Sequence, residues 1–298
     1  MSNNMRETIA WFIRHAAAHY RYNSYVERIL YWCLKQVETS YGFDKYKEEF
    51  TQINADLSKQ YTQKVAVSPY YELNLRNQHC FQALFTEKAI RKLYRGGGGK
   101  CELVDIGDSA GNHLKYLQHL FCEDAISING LSVNLDKTAV DKINASGGKA
   151  ILCRAEDYNP AYHVDFYLSY EMVEHLHNPA LFLYKIAKAD KGKYMIITVP
   201  YVSRSHVALR RSMDGGRQPI TAEQEHIFEL SPKDWKKICM HAGWRVIHSE
   251  IYFQYPRHLP VVSPICKALW KKYDFEGFLG LVLRRDMSAA RRYTDWEE

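Results

Sequence analysis

Val104-Asp105-Ile106-Gly107-Asp108-Ser109-Ala110-Gly111-Asn112-His113 reads as a β-strand, a glycine-bearing turn and the opening of a helix. Glycine has no Cβ and tolerates positive φ, so such a turn lets a ligand come close to the backbone. The helix start adds unpaired N–H groups and a positive dipole end, which suit a carboxylate or a phosphate. Dinucleotide enzymes use the same geometry, so this stretch alone leaves the ligand open.

Outward from it the chain has a regular rhythm. Short apolar runs at 103–106, 126–133, 150–153, 164–169 and 194–199 alternate with amphipathic stretches, and further strands are expected at 244–253 and 278–283. Leu114, Leu117, Leu120 and Phe121 share one helix face, and Leu181, Leu183, Tyr184 and Ile186 share another. A later helix carries its own boundary signals: Ser231 at the cap, Pro232 and Asp234 in the first turn, and Gly243 past the end. Alternation of this kind predicts βαβ units and a parallel sheet. The expected fold is α/β, a Rossmann-like, seven-stranded, mostly parallel sheet with helices on both faces.

Residues 1–95 show no strand pattern but carry helical periodicity rich in aromatics, through Ile9, Ile13, Tyr25, Ile29, Leu30, Cys33 and Leu34. They are expected to form a helical extension, an acceptor lid or a dimerisation element. The glycines at 96–99 then separate it from a domain spanning 96–298. Gly99-Lys100 is not a phosphate loop: Tyr94 and Cys101 stand where that motif needs glycine and Ser or Thr, and the run precedes a strand.

Composition narrows the class further. The 298 residues are 46% hydrophobic and 25% charged, the profile of a globular chain. A net charge of +6, from 40 Lys and Arg against 34 Asp and Glu, favours anionic ligands without requiring nucleic acid. Seven scattered cysteines (Cys33, Cys80, Cys101, Cys122, Cys153, Cys239, Cys266) hold no C-x-x-C pair, so buried, reduced thiols are expected and no disulfide framework or zinc knuckle. No apolar run approaches the roughly 20 residues that cross a bilayer, and no signal pattern opens the chain. A cytoplasmic location follows as the expectation, in which the sequon Asn144-Ala145-Ser146 is idle.

A second segment, Val164-Asp165-Phe166-Tyr167-Leu168-Ser169-Tyr170-Glu171-Met172-Val173-Glu174-His175-Leu176-His177-Asn178-Pro179, joins the first in a specific pattern. Together they resemble the class I methyltransferases that use S-adenosylmethionine (SAM), in particular the widespread small-molecule branch. Asp105, Gly107 and Gly111 match that family's acidic strand end and G-x-x-x-G loop, and Glu171 to Leu176 matches its E-x-x-E-H-L turn. Ala155-Glu156-Asp157, Ile196-Ile197-Thr198-Val199-Pro200, Glu225-His226-Ile227-Phe228 with Ser231-Pro232, and Ala242-Gly243-Trp244 are similar to later landmarks in the right order. The resemblance spans about residues 102–283 and leaves the first hundred unassigned.

The resemblance implies SAM as cofactor. It places Asp105, Gly107, Asp108, Ser109 and Gly111 around the methionine end, Asn134 at the ribose, Glu156 and Asp157 at the adenine, and Tyr170 and Glu171 at the adjoining edge. Two positions depart from the pattern. Asn134 stands where the family usually has an acidic ribose partner, an amide without the charge-assisted grip of a carboxylate, unless Asp136 takes its place. Ser109 stands where many members have a middle glycine. The first predicts weaker cofactor affinity, and the second narrows the backbone choices of the loop.

Methyl transfer from a sulfonium needs alignment and desolvation more than a fixed triad. A base helps with a hydroxyl or a protonated amine, and His175 and His226 are the candidates. The same residues also read as packing or cap residues of their turns. His175 with His177 suggests a metal pair, but no third ligand stands at useful spacing, so no metal is expected. Residues 201–225 are long for a connection and carry Arg204, His206, Arg210, Arg211 and Arg217, either an anion-holding acceptor loop or a solvated basic surface.

The expected function is methylation of a small-molecule or glycan-linked acceptor at O or N, the acceptor carrying an anionic group if the basic loop holds it. A homodimer is compatible with the extension. Nucleic-acid methylation is the alternative from charge and aromatic content, disfavoured because Ser169-Tyr170-Glu171-Met172 replaces an Asn/Asp-Pro-Pro-Tyr-type tetrapeptide. A non-catalytic protein on the same sheet is a further reading that Asn134 permits. A dinucleotide dehydrogenase lacks its ribose partner and leaves the E-x-x-E-H-L turn unexplained.

Overall fold

The computed structural model describes residues 24–57, 68–96, 99–108, 110–207 and 226–294. Its centre is a seven-stranded sheet of β1 (Lys100–Ile106), β2 (Ser127–Asn134), β3 (Ala150–Leu152), β4 (Val164–Tyr170), β5 (Gly192–Pro200), β8 (Trp244–Phe253) and β9 (Gly277–Arg285). The spatial order is β3-β2-β1-β4-β5-β9-β8. β1 to β5 are mutually parallel, whereas β9 runs antiparallel to both β5 and β8. A reversed strand wedged between the fifth and the last distinguishes this sheet from the 3-2-1-4-5-6 order of dinucleotide-binding folds. A separate two-stranded ribbon pairs β6 (His206–Val207) with β7 (Phe228–Glu229), an element the sequence pattern does not announce.

Side-chain alternation divides each strand between two cores. Val104 and Ile106 of β1, Tyr167 of β4, and Met195 and Ile197 of β5 face one layer, packed against α6 (Pro179–Ala189) and α7 (Pro232–His241) through Phe182, Leu183, Ile186 and Trp235. Leu103, Phe166, Leu168 and Ile196 face the other layer. There they meet α4 (Asn112–Leu120) through Leu114 and Leu117, and α3 (Pro69–Leu93) through Phe81, Phe85 and Ile90. The last sheet-flanking helix, α5 (Lys137–Ala145), follows β2 and is capped by Asp136, whose side chain accepts from the Thr138 N–H.

The helical segment ahead of the sheet is therefore one of its covering layers. α3 lies so close to β9 that a Cβ on Gly280 would stand 2.8 Å from the Phe85 ring, which fixes glycine there. Ser68 caps α3 through the Tyr71 N–H, with Pro69 in the first turn. α1 (Ser24–Tyr41) and α2 (Phe43–Ile53) pack on α3, and α1 shares a third core with α8 (Ser263–Tyr273) through Leu30, Cys33, Leu34, Cys266 and Trp270. Of the aromatic and aliphatic stripe expected here, Leu30, Cys33 and Leu34 are buried but Tyr25 and Ile29 are exposed. Helical phase turns those two away from α3 and α8. Ile9 and Ile13 lie outside the described residues.

The Ser231 cap forms as its signals predict, accepting from the Asp234 N–H. Most of the cysteines are buried, but Cys122 is exposed, at variance with a uniformly buried set. No described helix is long and apolar enough to cross a membrane.

Candidate functional site

β1 continues to β2 on one side, while β4 lies on its other side, so a crevice opens at the carboxyl ends of β1 and β4, where ligands of open α/β sheets bind. The Gly107 N–H donates to Val133 O (2.8 Å), and Gly107 has φ +98°. A Cβ there would lie 2.5 Å from Met172 Cγ, so only glycine lets the turn pass under the β4 loop. Gly111, at φ +73°, immediately precedes α4 and caps it without a side-chain hydrogen bond, leaving first-turn N–H groups for a ligand.

The turn's acidic residues have separate tasks. Asp108 is almost fully buried, and its carboxylate accepts from the Gly111 N–H (2.9 Å) and the Ser132 hydroxyl (2.9 Å). It thus ties the loop to β2. Burial, with the charge of Asp105 beside it, pushes its pKa up to about 6, against the pull of His113. Asp105 receives His113 Nδ1 at 3.0 Å on one oxygen, while its buried Oδ1 meets no donor among the described residues. Burial opposes a charge on His113, but the Asp105 hydrogen bond and both aspartate charges outweigh it and raise its pKa. Ser109 lies outside the described residues.

Asn134 sits at the end of β2, as placed, but its amide is engaged in holding the loop. Its Nδ2 donates to Asp108 O (3.0 Å), and its Oδ1 accepts from the Asp136 N–H (2.7 Å). Asp136 in turn caps α5, its Oδ1 accepting from the Thr138 N–H. Glu156 and Asp157 lie on a single 3-10 turn after β3 and border a shallow depression of about 430 Å³ with Lys185 and Lys188. Lys185 Nζ donates to the Glu156 carbonyl (2.8 Å).

Tyr170 and Glu171 close the other side of the crevice. The Tyr170 ring meets His113 edge-on at 4.7 Å, and its hydroxyl pairs with Thr86 of α3. Glu171 has φ +47°, a strained value for a non-glycine residue, held by its N–H to Thr198 O (2.9 Å). Burial pushes its carboxyl up to about 8, opposed by the Thr198 hydrogen bond and the His113 charge, and its Oε1 has no donor among the described residues. Gln82 Nε2 donates to the Thr198 hydroxyl (3.0 Å), and the buried His79 ring stands 5.6 Å from His113.

These α3 residues are the ones that sequence reasoning misses. His79, Gln82 and Thr86 recur at helical spacing on the buried side of α3, and that buried polar stripe is the signal that marks them. His113 also goes unassigned, although it ends the stretch that decides the fold.

The next turn brings His175 and His226 together, with ring centroids 4.6 Å apart and planes at 87°. The two expected base candidates thus share one location, next to Glu174 and Glu229, both buried. Burial, with Glu171 and Glu229 close by, drives the Glu174 carboxyl well above its usual range. His177 is exposed and takes no part in the cluster. Glu174, His175 and His226, the last distant in sequence, each bring one potential donor atom within 4.8 Å of the others. Arg204 and His206 are exposed at β6, and Arg210, Arg211 and Arg217 lie outside the described residues.

The reversed seventh strand, the glycine turn at the switch point and the acidic edge after β4 define a class, the SAM-dependent methyltransferase fold of class I. Particular solved structures share it. Coclaurine N-methyltransferase, solved with N-methylheliamine and S-adenosylhomocysteine (SAH), superposes with a TM-score of 0.51 at 9% identity, over 94% of this chain and 99% of that one. A SAM-dependent methyltransferase of Leishmania major gives 0.50 at 14% identity, over 80% and 82% of the two chains. At such identities the likeness is one of fold. No protein-family model matches the chain, and no curated protein matches it in sequence.

Proposed function

We propose that the protein is a SAM-dependent methyltransferase acting on a small-molecule acceptor at oxygen or nitrogen. One observation carries the reading: the positive-φ glycine turn at the switch point lies beside Asp105, which is buried, and Glu171, which is partly buried, each with a buried oxygen left without a donor among the described residues. Buried carboxylate oxygens without partners are costly, and a ligand ammonium would satisfy them. The α4 N-terminus suits the neighbouring carboxylate of an amino acid. A zwitterionic amino-acid moiety therefore fits the crevice, and Asn134 leaves the ribose side with a neutral partner.

Bound there, SAM supplies a methyl group already activated on a sulfonium. The chain's own residues do the rest. α3 closes the crevice through Gln82 and Thr86, while the His175–His226 pair is the candidate to orient an acceptor's reacting atom. Arg204 and the basic stretch after it are the candidate holders of an anionic group on the acceptor.

The engaged amide of Asn134 favours a second reading, a protein that keeps the sheet as a binding module without turnover. Incubation of the protein with methyl-labelled SAM and a fractionated cell extract decides between them. Label in the small-molecule fraction supports the proposal, label in RNA or DNA supports nucleic-acid methylation, and no label with intact cofactor binding supports the binding module.

A further inference from the structure

The 3-10 turn that follows β4 carries a buried carboxyl group, that of Glu174. Glu174 is fully buried, and neither of its oxygens meets a donor among the described residues. Carboxyl oxygens removed from water without partners are costly, a penalty that a bound cation removes. A carboxylate oxygen of Glu174 and one ring nitrogen each from His175 and His226 lie within 4.8 Å of one another. Donors bound about 2.1 Å from one ion stand roughly 3 to 3.5 Å apart, so small side-chain rotations would close this set. Glu229 Oε1 lies 3.6 Å from His226 Nδ1, the kind of outer carboxylate that orients a metal-binding imidazole.

A similar group at Asp105, Asp108 and His113 is largely tied up within itself, and its one unpartnered side-chain oxygen among the described residues, Asp105 Oδ1, is the one proposed above to meet the cofactor's ammonium. There His113 bonds to Asp105, and Asp108 bonds to Gly111 and Ser132.

We propose that Glu174, His175 and His226 form a divalent-cation site that holds a hydroxyl oxygen of the acceptor. Two imidazoles and one carboxylate suit Zn²⁺, Mn²⁺ or Fe²⁺ better than the all-oxygen preference of Mg²⁺ or Ca²⁺. Three protein donors leave positions open on such an ion, and an oxygen entering there loses its proton more readily. The acceptor is accordingly a hydroxyl compound. That assignment rests on the methyltransferase reading, whereas the ion site itself does not.

Metal-stripped full-length protein is titrated calorimetrically with Mn²⁺ and with Zn²⁺ in the absence of cofactor, and SAH is titrated separately. The expected result is one ion per chain, weakened at least about tenfold in Glu174→Gln and in His226→Gln. Electron spin-echo spectra of the Mn²⁺-loaded protein should show imidazole nitrogen couplings that decline in His226→Gln. His226 is partly exposed, so that variant keeps the test open if Glu174→Gln does not fold. Absence of saturable binding at millimolar ion, or equal affinity and unchanged nitrogen couplings in the variants, overturns the site. Ion binding without SAH binding leaves the site standing and removes the methyltransferase reading. SAH binding without ion binding does the reverse.

Discussion

Asp108 and Gly107 show how single residues set the turn. Asp108 is harder to ionise in the folded protein than in the unfolded chain, with its pKa at about 6 against an ordinary 3.8. A raised carboxyl pKa stabilises the fold below the unfolded value, and the benefit is lost as pH rises through the folded one. Asp108→Asn keeps an acceptor for Gly111 and a donor for Ser132, yet cannot ionise. Urea midpoints should therefore favour the variant over the native protein increasingly from pH 4 to pH 7; a constant difference across that range contradicts the assignment. Gly107→Ala forces a Cβ onto Met172 and a side chain into positive φ. It should cost about 1 to 3 kcal/mol in urea unfolding, with a concurrent loss of cofactor affinity, and an unchanged midpoint would show that the turn relaxes freely.

The helices and strands differ in how plainly the sequence declares them. The helix at Ser231 is legible because its cap, proline and terminal glycine act locally, and the structure forms that cap. Ser231→Ala should accordingly cost about 1 kcal/mol in thermal or urea unfolding. The strands of the sheet are legible from their apolar runs for the same reason. Periodicity does not encode strand direction or position, so nothing in Phe278 to Leu283 tells that β9 inserts antiparallel between β5 and β8. The candidate site is only half legible for a related reason. The glycine turn and the E-x-x-E-H run are contiguous, whereas the meeting of His175 with His226, and of α3 with Tyr170, depends on long-range packing. Asn134 was legible as a departure from the acidic ribose partner, but its engagement with Asp108 depends on the loop's folded path.

For the molecule as a whole, the sheet is closed by two cores, and one of them is built partly from the helical segment that precedes it. Phe85 sits in that core against β9, stacked on Phe81 and on His248. Phe85→Ala should destabilise by roughly 3 to 5 kcal/mol. It should do so in a single transition that removes helix and sheet signals together; a separate early melting of the N-terminal helices would show that they form an independent unit.

The proposed function requires that the crevice between β1 and β4 take a sulfonium nucleoside or its thioether product. Calorimetric titration of the native protein with SAH tests it most directly. The predicted result is saturable binding of one molecule per chain, weakened at least about tenfold, or 1.4 kcal/mol, by Asp105→Asn. No heat and no thermal shift at millimolar SAH, or binding indifferent to Asp105, would contradict it.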